Sequence, residues 1–369
     1  VIRTLKLGHS FTQGTADSNE VWLEVTVEGN GQVLAQSGGL DHRTGAVDPW
    51  AHRVNNYVID RAGNRIDRRN PEDIFTTLYN HQIPPGAADV VHYRFQVPPS
   101  IETPLTIRAA VRYRKFDSQL FQHVFGESAH YNDLPIVTVA SDEIVLPVMG
   151  HPVEVTRKAE TVAPWERWND YGIGLMRRPG TGELRQAEVA FKQVEIFGRG
   201  VGALNLARVY LREGNLDEAA SALRRAETHQ EPAPPWSVTY FTSVLNAQNG
   251  FVDEAITGFR GLAETRFPVA RDKEFDFSQD YRLTNRLAQT LFQRAKLERG
   301  LSNRENRDKF LREAVTWFEK SLRLDPENVI AHYGLSQVYT LLEDAQLADA
   351  HRNLHATYKT DDNAHDVAI

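Results

Sequence analysis

The chain has 369 residues, with 42 Lys and Arg against 49 Asp and Glu and a formal net charge of −7. With 41% hydrophobic and 25% charged residues, this is the composition of a globular protein with room for two or three domains, and it lacks the clustered basic charge that gripping nucleic-acid phosphates requires. There is no cysteine, which removes disulfides, thiolate catalysis, cysteine-ligated zinc and covalent c-type haem attachment from this chain.

No apolar run approaches the ~20 residues of a membrane helix. Beginning at Val1 rather than Met, the chain reads as a processed or trimmed piece.

Residues 1–150 are expected to form an antiparallel β-sandwich. Short strands are predicted at Val21–Gly29, Val33–Leu40, Asn56–Asn64, Val90–Pro98, Leu105–Phe116 and Ile136–Val148. In the first, Val21, Leu23, Val25 and Val27 share one face, while Trp22, Glu24 and Thr26 share the other, the alternation of a half-buried strand. Gly29-Asn30-Gly31 and Asp60-Arg61-Ala62-Gly63 are hairpin signals. Pro84-Pro85-Gly86 and Pro98-Pro99 end segments, because proline removes a ladder donor.

The segments GHSFTQGTADSNEVWLEVTV, SGGLDHRTGAVDPWAH, IPPGAADVVHYRF and RYRKF resemble the β-domain that follows the haem-binding region in exported multihaem c-type cytochromes. In that class helical repeats follow the β-domain, as they do here. The resemblance implies a place in an electron-transfer assembly, in the periplasm or outside the cell. Without a Cys-x-x-Cys-His site, the haem c would be held by a partner polypeptide or by a cleaved part of the same precursor, and this chain would bind no cofactor covalently.

Eight of the thirteen histidines fall within the first 151 residues. Imidazole is a good axial ligand for haem iron. His9, just ahead of the first strand, and His52 are therefore candidate ligands to a haem carried by the partner. Asp17, Asn19 and Glu20, with Asp41 and Asp48, form a candidate oxygen cage for calcium. The competing reading is turn chemistry, in which such side chains bond their own backbone.

Residues 151–164 read as a linker. Pro164-Trp165-Glu166-Arg167-Trp168 opens a helix with proline in its first turn. Trp165 and Trp168, three apart on one face, are expected to pack this helix on the sandwich or to serve as a partner hot spot.

From 165 to 358 the chain reads as paired helices. Gly182-Glu-Leu-Arg-Gln-Ala187 leads to Phe191, Gly214-Asn-Leu-Asp-Glu-Ala219 to Leu223, and Gly250-Phe-Val-Asp-Glu-Ala255 to Phe259. The alanines recur 32 and 36 residues apart. Ala314, Phe318, Leu322 and Pro326 repeat the pattern, and Leu335, Tyr339 and Ala348 extend it. This resembles the tetratricopeptide repeat, a helical hairpin of about 34 residues that stacks on its copies because one hairpin cannot bury its apolar face alone. Four or five hairpins are expected, forming an α-solenoid, with a polar insertion at Leu301–Asp308 and a fraying tail at 359–369.

The first helix of each pair lines the inner surface of such a stack. By register that places Leu204, Arg208 and Leu211, then Tyr240 and Val244, then Tyr333 and Gln337 along a partner-binding groove. The lining is apolar and aromatic and lacks a Lys/Asn clamp for a carboxylate, which favours an apolar or mixed segment over an acidic peptide. Phe275 and Phe277, flanking Asp276, mark a candidate docking edge.

No nucleophile elbow, His-Glu-x-x-His, phosphate loop or dinucleotide fingerprint is present. The leading expectation is thus a non-catalytic assembly protein docking on a multihaem c-type cytochrome, with self-association as a further option. A general tetratricopeptide adaptor unconnected with haem is the alternative. A metal-dependent enzyme built on the first-half histidines is the third reading.

Overall fold

The computed structural model describes residues 1–14, 18–126, 130–150, 162–178, 182–272 and 275–359. Asp17, most of the expected linker and the tail lie outside them. Two compact units divide the chain, Val1–Arg178 and Pro179–Lys359.

The first unit is β-rich. Its principal sheet has four antiparallel strands in the order β3 (Gln32–Ser37), β2 (Glu20–Gly29), β7 (Leu105–Arg114), β8 (Ile136–Leu146). Alternation along β2 and β7 builds two different faces. Val21, Leu23, Val25 and Val27 stand opposite Tyr113, Val111, Ala109 and Ile107. Val21, Leu23 and Val111 bury this face with Val54 and Ile83.

On the other face an ion-pair ladder crosses the strands. Glu20 meets Arg114 at 2.5 Å, Glu24 meets Arg112 at 2.6 Å and Glu28 meets Arg108 at 2.6 Å. Trp22 shares that face and is only 1% exposed, packed with Val47 and Ala51, its indole N–H donating to the Gly38 carbonyl at 2.9 Å. Asn30 and Gly31 both take positive φ, 48° and 72°, as a two-residue hairpin between right-twisted strands demands.

Two ribbons complete the β-structure, β1 (Ile2–Arg3) with β6 (Ala88–Asp89), and β4 (Asn56–Ile59) with β5 (Thr76–Asn80). The Asp60 turn after β4 forms as expected, Asp60 Oδ1 accepting from the amides of Ala62 and Asn64, both at 2.8 Å. The predicted strand Val90–Pro98 is not realised beyond Asp89. Of its alternating apolar set, Val91 and Phe95 pack on the neighbouring clusters, while Tyr93 and Val97 are exposed.

β8 is an edge strand. Among the described residues it pairs only with β7, and most of its positions are exposed. The short helix α1 (Ser118–Phe125) begins at Asp117, whose side chain accepts from the Leu120 amide at 2.8 Å, a standard N-cap.

Helix α2 (Pro164–Arg177) belongs to the first unit rather than to the repeats. Gly174 allows it to approach the chain at Asp89 and Val90, since a Cβ there would lie 2.6 Å from Val90 Cγ2. Arg177 donates to the Ala88 carbonyl at 3.0 Å, and Arg3 to Asp170 at 2.8 Å. Trp168 stays 39% exposed, edge-on to Tyr171 at 6.4 Å.

The second unit is helical throughout: α3 (Gly182–Ile196), α4 (Gly200–Glu213), α5 (Leu216–Thr228), α6 (Pro235–Gln248), α7 (Val252–Glu264), the single turn α8 (Pro268–Arg271), α9 (Tyr281–Leu297), α10 (Arg304–Leu324), α11 (Val329–Leu341) and α12 (Ala345–Tyr358). The alanine ladder is its spine. Ala187, Ala219, Ala255 and Ala314 are fully buried and Ala348 nearly so, because a methyl group is what lets paired helices come close. Phe191, Phe259 and Phe318 fill the space beside them, each no more than 1% exposed.

The hairpins α4–α5, α6–α7 and α11–α12 close identically. The amides of Asn215, Phe251 and Asp344 return to the carbonyls of Tyr210, Asn246 and Tyr339, around left-handed residues Gly214, Gly250 and Glu343. The polar insertion is a 3-10 turn at Leu301–Asn303 leading straight into α10.

Candidate functional site

Two surfaces have the chemistry to bind something, one in each unit. In the second unit the relevant side chains sit on α4, α6 and α11. The register residues differ widely in accessibility. Leu204, only 7% exposed, belongs to the core. Its expected place in the groove is corrected by the close approach of α3 and α4, where a Cβ on Gly202 would stand 2.6 Å from the Glu195 nitrogen. Tyr240 and Val244 are half-buried and pack on the main hydrophobic cluster, Tyr240 lying edge-on to Phe259 at 5.8 Å. Leu211 and Gln337 are half-buried.

Arg208 bridges α4 and α6. It donates to Asn205 at 2.8 Å and lies 5.6 Å from the centre of the Phe241 ring. Burial, and then the neighbouring Arg212, lower its pKa. Tyr333 and Ile330 on α11 are the open end of the register, 54% and 50% exposed. Phe275 is 38% exposed but Phe277 only 9%. Phe277 packs into the core against Phe267, so the expected aromatic edge is reduced to one ring.

In the first unit Asp17 of the calcium candidates lies outside the described residues, and Asn19, Glu20, Asp41 and Asp48 each have partners of their own. Asp41 Oδ1 accepts from the amides of Arg43 and Thr44, both at 2.9 Å, and from the Thr44 hydroxyl at 3.0 Å. Those hydrogen bonds, the one from Arg43 foremost, lower its pKa. Asp48 accepts from the amides of Gly38 and Trp50. Asn19 is bonded to Asn55, and Glu20 is paired with both Arg53 and Arg114. These side chains build turns and cross-links, and among the described residues no three His, Asp or Glu stand close enough to hold a metal.

His9 is exposed, its Nδ1 3.0 Å from the Ser10 carbonyl oxygen. His52 is not free in the same way. Its Nε2 is 2.8 Å from Asp89 Oδ2, and its ring stacks on His81 at 5.1 Å. Burial works against the charged form of Asp89, but the hydrogen bond from His52 and the positive field around it bring its pKa below the ordinary value. His81 in turn has Nδ1 3.1 Å from the Arg53 carbonyl oxygen. Burial, then proximity to His52, lowers its pKa.

These two rings continue a ladder from β4 and β5, Tyr57 over Tyr79 at 5.2 Å and Tyr79 over His81 at 4.8 Å. The ladder lines a cleft of about 720 Å³, within the size range of small-molecule sites. The sequence reading missed His81, Tyr79 and Tyr57. The signal available was spacing, since Tyr79 and His81 are two apart at a strand end and Tyr57 is the register partner of Tyr79.

With this geometry in place, comparison with known proteins decides the character of the second unit. Residues 204–271 match the tetratricopeptide repeat family model. The helical half is a tetratricopeptide-like repeat region, preceded by a β-rich region. Among solved structures the chain is similar to MamA of strain MSR-1, at 19% identity and a TM-score of 0.37 over 53% of this chain and 95% of that one. MamA from Desulfovibrio magneticus RS-1 gives 13% identity and a TM-score of 0.38, covering 53% and 94%. A monomeric mutant of IFIT1 with m7Gppp-AAAA gives 17% and 0.42, covering 53% of this chain and 42% of that one. No curated protein matches the chain. No helix among the described residues is long and apolar enough to cross a membrane.

Proposed function

We propose that the chain is a non-catalytic scaffold whose stacked repeats bind a protein partner on their inner surface, the first unit acting as a β-sandwich module. The observation that carries this reading is the exposure of Tyr333 and Ile330, 54% and 50%, on the first helix of the last hairpin. On α4 and α6 the matching positions are more covered, Leu204 buried and Leu211, Tyr240 and Val244 half-buried. An exposed Tyr beside an exposed aliphatic side chain is the kind of anchor that dominates protein interfaces. Ile330, Tyr333 and Gln337 carry no charge between them, so the partner segment is apolar or mixed rather than acidic.

The test is site-specific photo-crosslinking in the source organism. A photoreactive residue at position 333 or 337 should capture one discrete species that is lost on Ile330→Asp. The same probe at Glu254, on the exposed side of α7, should capture none. Equal capture from both positions, or none from either, would remove the proposal.

One observation favours a second reading, docking on a multihaem c-type cytochrome. His9 is exposed, and its Nδ1–H faces the Ser10 carbonyl, which leaves Nε2 as a ligating nitrogen. In this reading His9 supplies an axial ligand to a haem held by the partner. An absorption spectrum of the complex isolated from its source should show a Soret band that changes with His9→Met. Absence of the band, or an unchanged spectrum, rejects it.

A further inference from the structure

The cleft of the first unit does not take part in the scaffold reading and stands independently of it. Its fixed charges are already spent. Glu20 is held by Arg53 at 2.6 Å and by Arg114 at 2.5 Å, and Arg65 by Asp117 at 2.6 Å. A charged ligand would have to break one of these partly buried pairs. Most faces of the ladder are taken as well, because Arg65, Tyr57, Tyr79, His81 and His52 lie one against the next, which leaves one face of the terminal His52 without a ring against it. What the ladder offers the cleft is therefore mainly ring edges, with phenol hydroxyls and imidazole nitrogens.

The tautomers follow from the partners. A carbonyl or carboxylate oxygen only accepts, so the neutral His81 donates from Nδ1 to Arg53 and the neutral His52 donates from Nε2 to Asp89. The lone pairs left over are His81 Nε2 and His52 Nδ1, both acceptors. The unmet demand is for ligand N–H or O–H donors.

Free aromatic faces occur at the mouth. Trp50 is 90% exposed and Tyr93 45%, and both line the cleft. The backbone that carries Trp50 is pinned: its amide donates to Asp48 Oδ1 at 2.9 Å, while Asp48 Oδ2 accepts from Gly38 at 3.1 Å. An exposed aromatic ring at the mouth of a cleft whose charges are paired and whose imidazoles offer acceptors suits a ligand with one apolar C–H face and a rim of hydroxyls.

We propose that this cleft binds a neutral sugar ring, its C–H face against Trp50 and its hydroxyls donating to the imidazole nitrogens of His81 and His52. A flat base or phenol would want a run of open ring faces in the interior, where those between Arg65 and His52 are already taken. An anionic sugar would meet cations already neutralised.

The experiment titrates glucose, galactose and mannose separately into the full chain and reads saturation transfer to the sugar ring protons by NMR. At least one is expected to bind with a dissociation constant near ~1 mM. Trp50→Ala, on an exposed loop, and His81→Ala should each weaken that binding about tenfold or more. Met149→Ala, 97% exposed and away from the cleft lining, should leave it unchanged. Dispersed NMR signals from the first unit's buried methyl groups, such as Val21 and Val54, report that the unit remains folded in each variant. No transfer from any of the three sugars, transfer indifferent to Trp50→Ala, or tighter Trp50-dependent binding of adenosine would each overturn the assignment.

Discussion

The ring of Phe318 occupies the space that a Cβ on Gly334 would need. Phe318 is fully buried on α10, and the missing side chain on α11 is what admits it. Gly334→Ala gains up to about 1 kcal/mol of helix propensity, but overpacking a rigid ring costs roughly 1–3 kcal/mol, and the clash should win. Chemical denaturation is expected to show a net loss of about 1–2 kcal/mol. Pairing it with Phe318→Leu should recover part of that loss, because the smaller side chain vacates the contested volume.

Glu343 holds a left-handed conformation, φ 64°, where the equivalent hairpins have Gly214 and Gly250. A side chain there costs about 1–2 kcal/mol. Its ion pair with Arg304, 3.0 Å long between half and two-thirds exposed side chains, returns little in water. Glu343→Gly is therefore expected to stabilise the protein by about 0.5–1 kcal/mol, measured as a higher denaturation midpoint. A lower midpoint would mean that the Arg304 contact outweighs the backbone strain.

His332 and His351 face each other Nδ1 to Nδ1 at 2.9 Å. The His332 Nε2–H donates to the Pro326 carbonyl at 3.0 Å, so its Nδ1 accepts from His351. Burial, then His332, lowers the pKa of His351 from 6.5. Below about pH 6.5 the unfolded chain therefore binds the proton that the folded chain resists. This contribution to stability is complete above that pH and is lost as the pH falls through the depressed folded value. Stability measured from about pH 7 down to 5 should decline, with a shallower slope in His351→Gln. His81, also depressed, adds a residual slope of the same sign.

Arg114 is wholly buried against Glu20, itself 4% exposed. It also donates to the Gly45 carbonyl at 2.7 Å. Arg114→Leu would leave the buried Glu20 carboxylate with Arg53 as its one remaining cation and take a donor from the Gly45 carbonyl, a change expected to cost roughly 3 kcal/mol. Adding Glu20→Met removes the half-paired carboxylate and frees Arg53, whose side chain is 27% exposed, and should restore part of the loss. If the double variant is no better than the single one, the contacts to the backbone carbonyls carry the effect.

The repeats were legible because each is a local statement. Ala219 and Leu223 declare their helix within one turn, and Gly214 its end, so register along the chain is register in space. Val21–Gly29 was legible for a similar reason, since its alternation holds over nine residues. β5 was not, because Thr76, Thr77 and Asn80 lack the apolar alternation that marks a buried face. The histidine cleft was less visible still. It draws on residues from Asn19 to Gln119, and only tertiary pairing brings His52, His81 and Asp89 together. Composition pointed to Asp41 and Asp48 as ligands, and it did not show that backbone donors within three residues bond Asp41 Oδ1 and Asp48 Oδ1 and that the Gly38 amide bonds Asp48 Oδ2. Leu204 failed as a groove residue because register fixes a helix face but not how closely the next helix approaches it.

The open side of β8 has a practical consequence for anyone handling the protein. Its outer row of amides and carbonyls is a template for strand addition, flanked by Val137, Val139 and Ile144, each more than half exposed. The acidic pair Asp142 and Glu143, midway along, is the gatekeeper that makes self-templating costly. Neutralising those two carboxylates, by acid or by substitution, is expected to raise the protein's tendency to gel or precipitate.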